Sequence, residues 1–398
     1  MLVNKVNTVT KFNVREIYQL FIAFVIVMWL TFPVLMLPIL IAIIGFVKLK
    51  NSLKIFFLFL VPITFASLNF SREPAGDLIN YYTFFNQLYD LPFSRFYEVR
   101  GLQDLFFYGL SSLLIKISNN SPEFVLFVLT LIMYSVLILA VIKLGNLFGL
   151  SSRRKYACLA VVLFSTFPFT HSSHLVRQML AMSFVVLAFA QLVNGEKKSL
   201  FTLFIASLSH FSSVIFLPSF LLILIKSQLF HKLLILLLAT AALFFFFSGL
   251  SFYHFLDFSL VDRSDSYIYT SANVVSLTFY IQLLLSLTIC IFIFFFQRSM
   301  ATHTIKFVYI FSIFIFFIDF NNIDNLISQR IMLYGFGLIS IAVIFVAKIN
   351  NQMIGLIFWI LYAVSYFRFL RVLAFYSSGY VQDGIPFSVL SLYRIVGI

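Results

Sequence analysis

The sequence predicts an all-α polytopic membrane protein, on the basis of its composition, its long apolar runs and its basic loops. Of the 398 residues, 62% are hydrophobic, only 10% are charged and 55 are phenylalanine. A soluble protein of this length could not bury so much apolar surface, so a lipid environment is expected. We therefore expect one integral-membrane domain that covers residues 1–398.

Most of the apolar runs are long enough to cross a hydrocarbon core of about 30 Å as helices. They fall near residues 17–31, 33–47, 53–69, 122–144, 154–170, 174–193, 199–210, 213–227, 231–250, 274–297, 303–320, 329–348 and 351–367. Several are short, so we expect about 11 to 13 transmembrane or half-membrane helices. Pro33 and Pro38 predict a hairpin or one broken helix over the first two runs, and the two runs around His210 predict the same.

Basic residues in the short loops predict the orientation of these spans. They are Lys5, Lys11, Arg15, Lys48, Lys50, Lys54, Lys143, Arg153, Arg154, Lys155, Lys197, Lys198, Lys226, Lys232, Arg298, Lys306 and Lys348. If all of them face the cytoplasm, the N-terminus is cytoplasmic and the segment 102–117 does not span but lies in the interface or re-enters. Residues 70–121 then form an outer loop with interfacial helices. Residues 368–398 form an outer tail, which either caps the outer face or is disordered.

Several classes of function find no support in the sequence. Cys158 and Cys290 lie inside apolar runs, so neither a disulfide framework nor a metal site is expected. The net charge of +13 fits positive loops at a membrane better than a nucleic-acid partner. Phosphate-binding, dinucleotide-binding, calcium-binding, zinc-binding and nucleophile-elbow motifs are absent, and no cleavable signal peptide is evident. We expect no cofactor.

The stretch HSSHLVRQMLAMSF places a charge where an apolar helix begins. His171, His174 and Arg177 are spaced by three residues, so they share one face if the helix begins by residue 171. A charge at this depth is costly unless it is paired or faces a wet cavity. A guanidinium suits bidentate binding of phosphate. The alternatives are an arginine whose charge extends to the membrane surface, and histidines that only pack at the interface.

A second arginine stands at the beginning of an apolar helix in DFNNIDNLISQRIML. Arg330 follows a loop that contains Asp319 and Asp324, which either neutralise it or contact substrate. Two arginines at the same side of the membrane, Arg177 and Arg330, are the arrangement that a diphosphate requires. Together they favour an anionic, lipid-linked substrate.

Two further stretches carry candidate catalytic groups. His210 lies among small polar residues, where an imidazole can act as a general base, donate to a sugar, or simply be satisfied by a neighbouring helix. Asp77 either begins a helix as its N-terminal acid or takes part in chemistry. Tyr81 and Tyr82 follow it, and rings of this kind stack on sugars. The same outer surface continues through Glu98, Arg100 and Asp104.

Four stretches together resemble one family. They are GDLINYYTFFNQL at 76–88, VRQMLAMSFVVLAFAQL at 176–192, LFIASLSHFSSVIFLPSFLL at 203–222, and SQRIMLYGFGL at 328–338. In these stretches the chain resembles the EpsG/Wzy-like family of bacterial polysaccharide polymerases. The resemblance covers most of residues 70–350.

The resemblance implies a substrate and a place of action. Members of the family act on repeat units carried by undecaprenyl diphosphate at the outer face of the bacterial cytoplasmic membrane. They transfer a growing chain from its lipid carrier onto the sugar of another lipid-linked unit. The expected fold resembles the helical GT-C glycosyltransferases, with an outward-facing cavity. The expected partners are the lipid-linked donor and acceptor, membrane lipid and a chain-length regulator, with no metal and no nucleotide. The product is capsule, exopolysaccharide or O-antigen.

The roles expected in such a reaction fall on the residues above. Arg177 and Arg330 bind the diphosphate leaving group, and His210, or else Asp77, removes the proton of the acceptor hydroxyl. The residues expected to contact the substrate are Tyr81, Tyr82, His174, Gln178, Asp319 and Asp324.

Three other classes of protein remain open from the sequence. A flippase or transporter of lipid-linked oligosaccharides also needs a cationic cavity, but it more often carries charge near the midplane and internal repeats. Another lipid-sugar-dependent glycosyltransferase often has a metal-binding acidic pair, which Glu73 and Asp77 match poorly. A structural membrane subunit has no site of its own, whereas two arginines and long polar outer loops favour one.

Overall fold

The part of the chain that the structure describes is mostly helical. A computed structural model describes residues 14–217 except 75, 100, 102, 167–168 and 170, isolated positions between 220 and 348, and residues 352–397 except 375–378. Numbered in order through these residues, the helices are α1 (Val14–Thr31), α2 (Pro33–Phe46), α3 (Asn51–Phe70), α4 (Asp77–Asp90), α5 (Leu105–Ile117), α6 (Pro122–Leu147), α7 (Ser152–Val161), α8 (His171–His174), α9 (Val176–Val193), α10 (Ser199–Ser209), α11 (Gln352–Ala374) and α12 (Leu392–Val396).

Short elements join and extend these helices. A π-helical turn follows α7 at Val162–Thr166, and 3₁₀ turns cover Phe93–Val99, Phe211–Phe216 and Phe387–Val389. Strands β1 (Val381–Gln382) and β2 (Ile385–Pro386) form a small antiparallel hairpin in which Val381 pairs with Pro386.

Within the described residues, three helices are long and apolar enough to cross a membrane: α3, α6 and α9. Shorter apolar helices occur in α1, α2, α5 and α10. These helices agree with the predicted class, an all-α membrane protein. Apart from Leu233, the spans predicted at 231–250, 274–297 and 303–320 lie outside the described residues, so the predicted total of helices stays a prediction.

The break expected near Pro33 is present, and α11 stabilises the helix that follows it. Phe32 separates α1 from α2, and Pro33 opens α2 at a position where its missing N–H costs nothing. Pro38, inside α2, deprives the carbonyl of Val34 of its helical donor. The Tyr366 hydroxyl of α11 donates to that carbonyl at 3.0 Å. An apolar helix with an interior proline is therefore satisfied by a side chain from its neighbour.

The centre of the bundle combines aromatic packing with a small polar network. Phe65 of α3 stacks on Tyr134 of α6 with ring centroids 4.1 Å apart. One turn further along α3, the Asn69 amide donates to Thr130 at 3.0 Å and to Ser172 at 2.8 Å. Because these groups are buried, the network fixes α8 against α3 and α6.

The basic loops that the structure describes lie together at one end of the bundle. Lys143 forms an ion pair with Glu196, Lys348 donates to the carbonyl of Phe148, and Arg154 donates to that of Ala347. Arg177 lies at the start of α9 and Glu196 just beyond its end, and a helix of this length spans about 27 Å. The basic residues and Arg177 are therefore at opposite ends, as the charge pattern predicts. Which end is cytoplasmic stays a prediction.

Of the predicted tail, residues 368–374 belong to α11, and residues 379–397 are folded against the bundle; that this end is the outer one stays a prediction. Tyr380 is fully buried, and its hydroxyl donates to Asn69 at 2.7 Å. The β1–β2 hairpin and α12 follow, and α12 packs against the end of α3. Residues 379–397, called the C-terminal cap below, thus cover the end of the bundle that carries Arg177.

Candidate functional site

The stretch around Arg177 forms two helices and not the single helix that would align its polar residues. Helix α8 ends at His174, Leu175 has the non-helical angles φ −120° and ψ 47°, and α9 begins at Val176. The expectation that His171, His174 and Arg177 share one continuous helical face is therefore wrong. Because of the break, His174 and Arg177 contact different partners.

Arg177 is paired with a carboxylate. Its Nη1 lies 2.6 Å from Oδ2 of Asp104, and its Nε lies 3.5 Å from the hydroxyl of Tyr81. The guanidinium also lies over the rings of Tyr81 and Tyr108, at 5.8 and 5.7 Å from their centroids. Pairing and aromatic contact reduce the cost of a charge at this depth, so Arg177 does not need to reach the membrane surface.

Asp104 contacts both Arg177 and His210 and so connects the residues of this site. It was not among the predicted site residues. It is 5% exposed and adopts a left-handed φ of 55°, which aspartate tolerates better than most residues. Its Oδ1 accepts the N–H of Phe211 at 2.9 Å and lies 3.5 Å from Nδ1 of His210. Burial raises the pKa of Asp104, but nearby His210, Arg177 and the Phe211 N–H lower it more, so the net pKa is below its usual value.

His210 stands where α10 is interrupted. Its backbone is extended, with φ −157° and ψ 121°, between α10 and the 3₁₀ turn that begins at Phe211. This confirms the break predicted around His210. The side chain is 18% exposed, and its Nδ1 faces Asp104 at 3.5 Å, a distance at the limit for a hydrogen bond. An imidazole oriented in this way directs Nε2 away from the carboxylate.

The other predicted site residues are distributed around this cluster. Tyr81 is part of it, Gln178 is buried beside Arg177 in α9, and Tyr82 lies on α4 with its hydroxyl buried. Asp77 is the exposed first residue of α4, as predicted, and no described residue forms an ion pair with it. Arg330, Asp319 and Asp324 lie outside the described residues.

A second buried arginine, Arg72, was missed from the sequence. It is 2% exposed, and its Nη2 lies 2.5 Å from Nε2 of His174. Because a guanidinium only donates, Nε2 must accept, so the His174 ring is neutral with its proton on Nδ1. The guanidinium also lies 5.0 Å from the ring centroid of Tyr380. A lone arginine directly after an apolar span, in NFSREP, was the available signal.

The neutral His174 predicts acid sensitivity. Burial, together with the charge of Arg72 and the proximity of His171, lowers the pKa of His174 to about 4. Since the unfolded chain binds this proton more readily, the stabilising contribution is complete above the unfolded pKa of about 6.5 and is lost as the pH falls toward 4. Because the ring is only partly buried, solvent screening keeps the loss below the roughly 3 kcal/mol that a shift of this size would otherwise give.

The measurement is the melting temperature of the purified protein between about pH 7.5 and about pH 4.5. A His174→Gln variant keeps an acceptor for Arg72 but cannot titrate, so its melting temperature should fall less steeply over this range. An equally steep fall in both proteins would contradict the assignment.

Together these features define a class: an α-helical membrane protein with a buried arginine–aspartate–histidine cluster at the end of the bundle opposite its basic loops. The chain belongs to the EpsG family, whose family profile matches residues 53–387 and so includes the whole cluster. This is a family of Wzy-like polysaccharide polymerases. No curated protein and no solved structure is significantly similar to the chain.

Proposed function

We propose that the chain polymerises oligosaccharide repeat units carried on undecaprenyl diphosphate, at the outer face of the bacterial cytoplasmic membrane. The observation that carries this proposal is the cluster of Arg177, Asp104 and His210. It combines a cation for an anionic leaving group with an imidazole for a hydroxyl proton, inside a family of polysaccharide polymerases. The basic loops at the opposite end support the orientation, since such loops prefer the cytoplasm.

The reaction is a displacement at the anomeric carbon of the donor. The acceptor hydroxyl oxygen forms the new glycosidic bond, and the bond between the anomeric carbon and the diphosphate oxygen breaks. The leaving undecaprenyl diphosphate takes the bonding electron pair, and the hydroxyl proton passes to Nε2 of His210. Asp104 positions His210 and offsets the positive charge that the ring gains.

The geometry favours His210 over Asp77 as the base. His210 is partly exposed, has a carboxylate on its Nδ1 side and lies in the same cluster as Arg177 through Asp104. Asp77 is exposed, and no contact joins it to this cluster within the described residues. We therefore assign proton removal to His210, with Asp77 at the edge of the site.

Arg177 contributes positive charge while its Nη1 stays on Asp104. We propose that its remaining N–H groups and Arg330 stabilise the diphosphate as it leaves. Tyr334, four residues after Arg330 in the sequence, lies 3.0 Å from Ser212 through the two hydroxyls. Tyr334 thus contacts the 3₁₀ turn that follows His210, and its proximity to Arg330 in sequence supports a shared site.

The remaining parts of the proposal concern the surroundings of the site. Tyr81 and Tyr82 position sugars, with His174, Gln178, Asp319 and Asp324 as further contacts. The architecture is GT-C-like with an outward-facing cavity, the reaction needs no metal, and a chain-length regulator is a partner. Aromatic residues are concentrated near Arg177, which suits carbohydrate.

The test of the function is the glycan profile of a strain that depends on Arg177→Ala, with Arg177→Lys beside it. We expect Arg177→Ala to abolish long polymer while single repeat units still reach the outer face, and Arg177→Lys to retain a small fraction. Membrane levels of each protein are measured in parallel, because the alanine variant leaves Asp104 buried without its cation.

The matched control is Arg95→Ala, which also breaks an arginine–carboxylate pair. Arg95 contacts Glu98 at 2.5 and 2.8 Å but is exposed, so its loss should leave the polymer unchanged. Lipid-linked units trapped on the inner face would identify a flippase instead. Normal polymer made by Arg177→Ala at normal protein levels would refute the assignment of Arg177.

A further inference from the structure

Arg72 is a buried cation without a counter-ion. Within the part of the chain that the structure describes, no carboxylate lies within ion-pair distance of it, although Glu73 is its neighbour in sequence. Arg177 differs, because Asp104 already neutralises it. Arg72 is therefore a buried positive charge at this end of the described bundle that no described carboxylate neutralises.

The guanidinium also has unused donors. Its Nε and Nη1 are buried and have no hydrogen-bond partner among the described residues, while Nη2 contacts His174. Leaving such donors unsatisfied is costly, and more so for charged groups. The contact with the Tyr380 ring supplies no hydrogen-bond acceptor for Nε or Nη1 and does not offset this cost. The arrangement is therefore expensive unless an acceptor binds there.

Two neighbouring hydroxyls are in the same condition. The side-chain oxygens of Ser71 and Tyr82 are buried and have no partner within the described residues. Burial and the negative charge of Glu123 raise the pKa of Tyr82, while the positive charge of Arg72 acts on it in the opposite direction. The phenol is thus protonated and can act as a hydrogen-bond donor. Buried hydroxyl donors and a guanidinium fork with unused N–H groups suit an oxyanion with several acceptor oxygens.

The C-terminal cap closes over this position. Gly379 has a φ of 74°, and a Cβ atom there would lie 3.2 Å from Cγ of Arg72 and 3.2 Å from the carbonyl oxygen of Glu73. Next to it, a cavity of about 270 Å³ separates the cap from the end of α3, with Ser71, Glu73 and Gln382 among its lining residues. The cap is therefore in direct contact with Arg72 on one side and loosely packed on the other.

We propose that Arg72 is the cation of a phosphoryl-oxyanion site, separate from the Arg177 cluster. His174 holds the guanidinium, Ser71 and Tyr82 supply further donors, and the C-terminal cap covers the site. The identity of the phosphoryl ligand rests on the proposed function. In that reaction both the donor and the acceptor carry a diphosphate, and Arg177 can bind only one of the two. Arg72 then holds the diphosphate of a lipid-linked substrate while the sugars react elsewhere.

The test is the melting temperature of the purified full-length protein, titrated with inorganic diphosphate or reconstituted in nanodiscs with undecaprenyl diphosphate. A ligand that binds only the folded state raises the melting temperature. We expect Arg72→Gln to reduce the rise to the part that the Arg177 cluster contributes, and Arg72→Lys to need at least about tenfold more diphosphate, because lysine lacks the planar fork. The matched control, Arg394→Gln, removes an exposed positive charge from the C-terminal cap and should respond like the wild type.

A second measurement on the wild-type chain does not depend on how the variants fold. Hydrogen exchange with and without inorganic diphosphate should change at residues 70–74 and 379–382 and stay constant at 143–155. Diphosphate-dependent changes only elsewhere would overturn the site. So would a wild type that responds to neither probe, or Arg72→Gln that responds fully.

The two probes distinguish a lipid-linked ligand from a soluble one. Together with the polymer assay, they also distinguish failure of the Arg72 site from failure of the proposed function. A response to the lipid supports a lipid-linked substrate, whereas a response to inorganic diphosphate alone leaves the site standing with a soluble ligand. If Arg72→Gln loses binding but the strain that carries it still makes normal polymer, the site stands and its link to polymerisation fails. If Arg177→Ala makes normal polymer while binding still needs Arg72, the assignment of Arg177 fails and the site stands.

Discussion

Asp104→Asn should abolish polymer formation and destabilise the protein, although it changes a single oxygen to nitrogen. The variant removes the only carboxylate that contacts Arg177 within the described residues, and with it the group that faces Nδ1 of His210. Breaking a buried pair by removing one partner costs about 3 to 5 kcal/mol. Asparagine is preferred to alanine as the replacement, because it adopts the left-handed φ of 55° at a lower energetic cost.

The chain offers a closely matched control in Asp383. It also has a left-handed φ, of 51°, but it is exposed on the β1–β2 turn. Asp383→Asn should therefore leave both the melting temperature and the polymer unchanged. Polymer of normal length and amount from Asp104→Asn would show that the cluster takes no part in the reaction.

A double variant separates stability from chemistry. Replacing both members of a buried ion pair is often neutral for stability, since no uncompensated charge remains. Asp104→Asn combined with Arg177→Gln should thus recover most of the lost melting temperature and still make no polymer. Recovery of both properties would mean that the pair is structural only.

His210→Asn should reduce polymerisation by about 10²- to 10⁴-fold, the usual contribution of a general base. The expected loss of stability is small, because the side chain is 18% exposed and its contact with Asp104 is long, at 3.5 Å. Activity is measured in membranes that carry the variant, with lipid-linked repeat units as substrate.

Asparagine distinguishes the two roles that His210 can play. Its amide can donate toward Asp104 much as the Nδ1–H of histidine does, but it cannot accept a proton at the position of Nε2. If His210 only satisfies Asp104, His210→Asn retains full activity. If His210 is the base, His210→Asn stays folded and inactive. His171→Gln, which removes a histidine of α8, serves as the matched control and should retain polymer.

The structure changes the meaning of Arg177. From its position at the start of an apolar helix, Arg177 is predicted to be an unpaired cation that binds a diphosphate. In the fold it is held by Asp104 and two tyrosine rings, so it acts as part of a neutralised cluster. Arg72, for which a position directly after an apolar span was the available sequence signal, has no carboxylate within ion-pair distance among the described residues.

The local sequence pattern was sufficient to predict the class of protein and the positions at which its helices are interrupted. Hydropathy marked α3, α6 and α9 as spans, and prolines and small polar residues marked the breaks at Phe32 and His210. These properties are readable because a helix in lipid satisfies its own backbone, so its length and its interruptions depend on nearby residues. Short stretches also sufficed to indicate the family, which the profile match over 53–387 confirms.

Only the tertiary structure decided which polar groups meet. Asp104 and Arg177 are 73 residues apart in sequence, Arg72 and His174 are 102 apart, and Tyr380 reaches Asn69 across 311. One local event, the break at Leu175, sends His174 and Arg177 to different partners. Partner choice depends on how helices pack and rotate against one another, and neither hydropathy nor spacing within a single helix encodes that geometry.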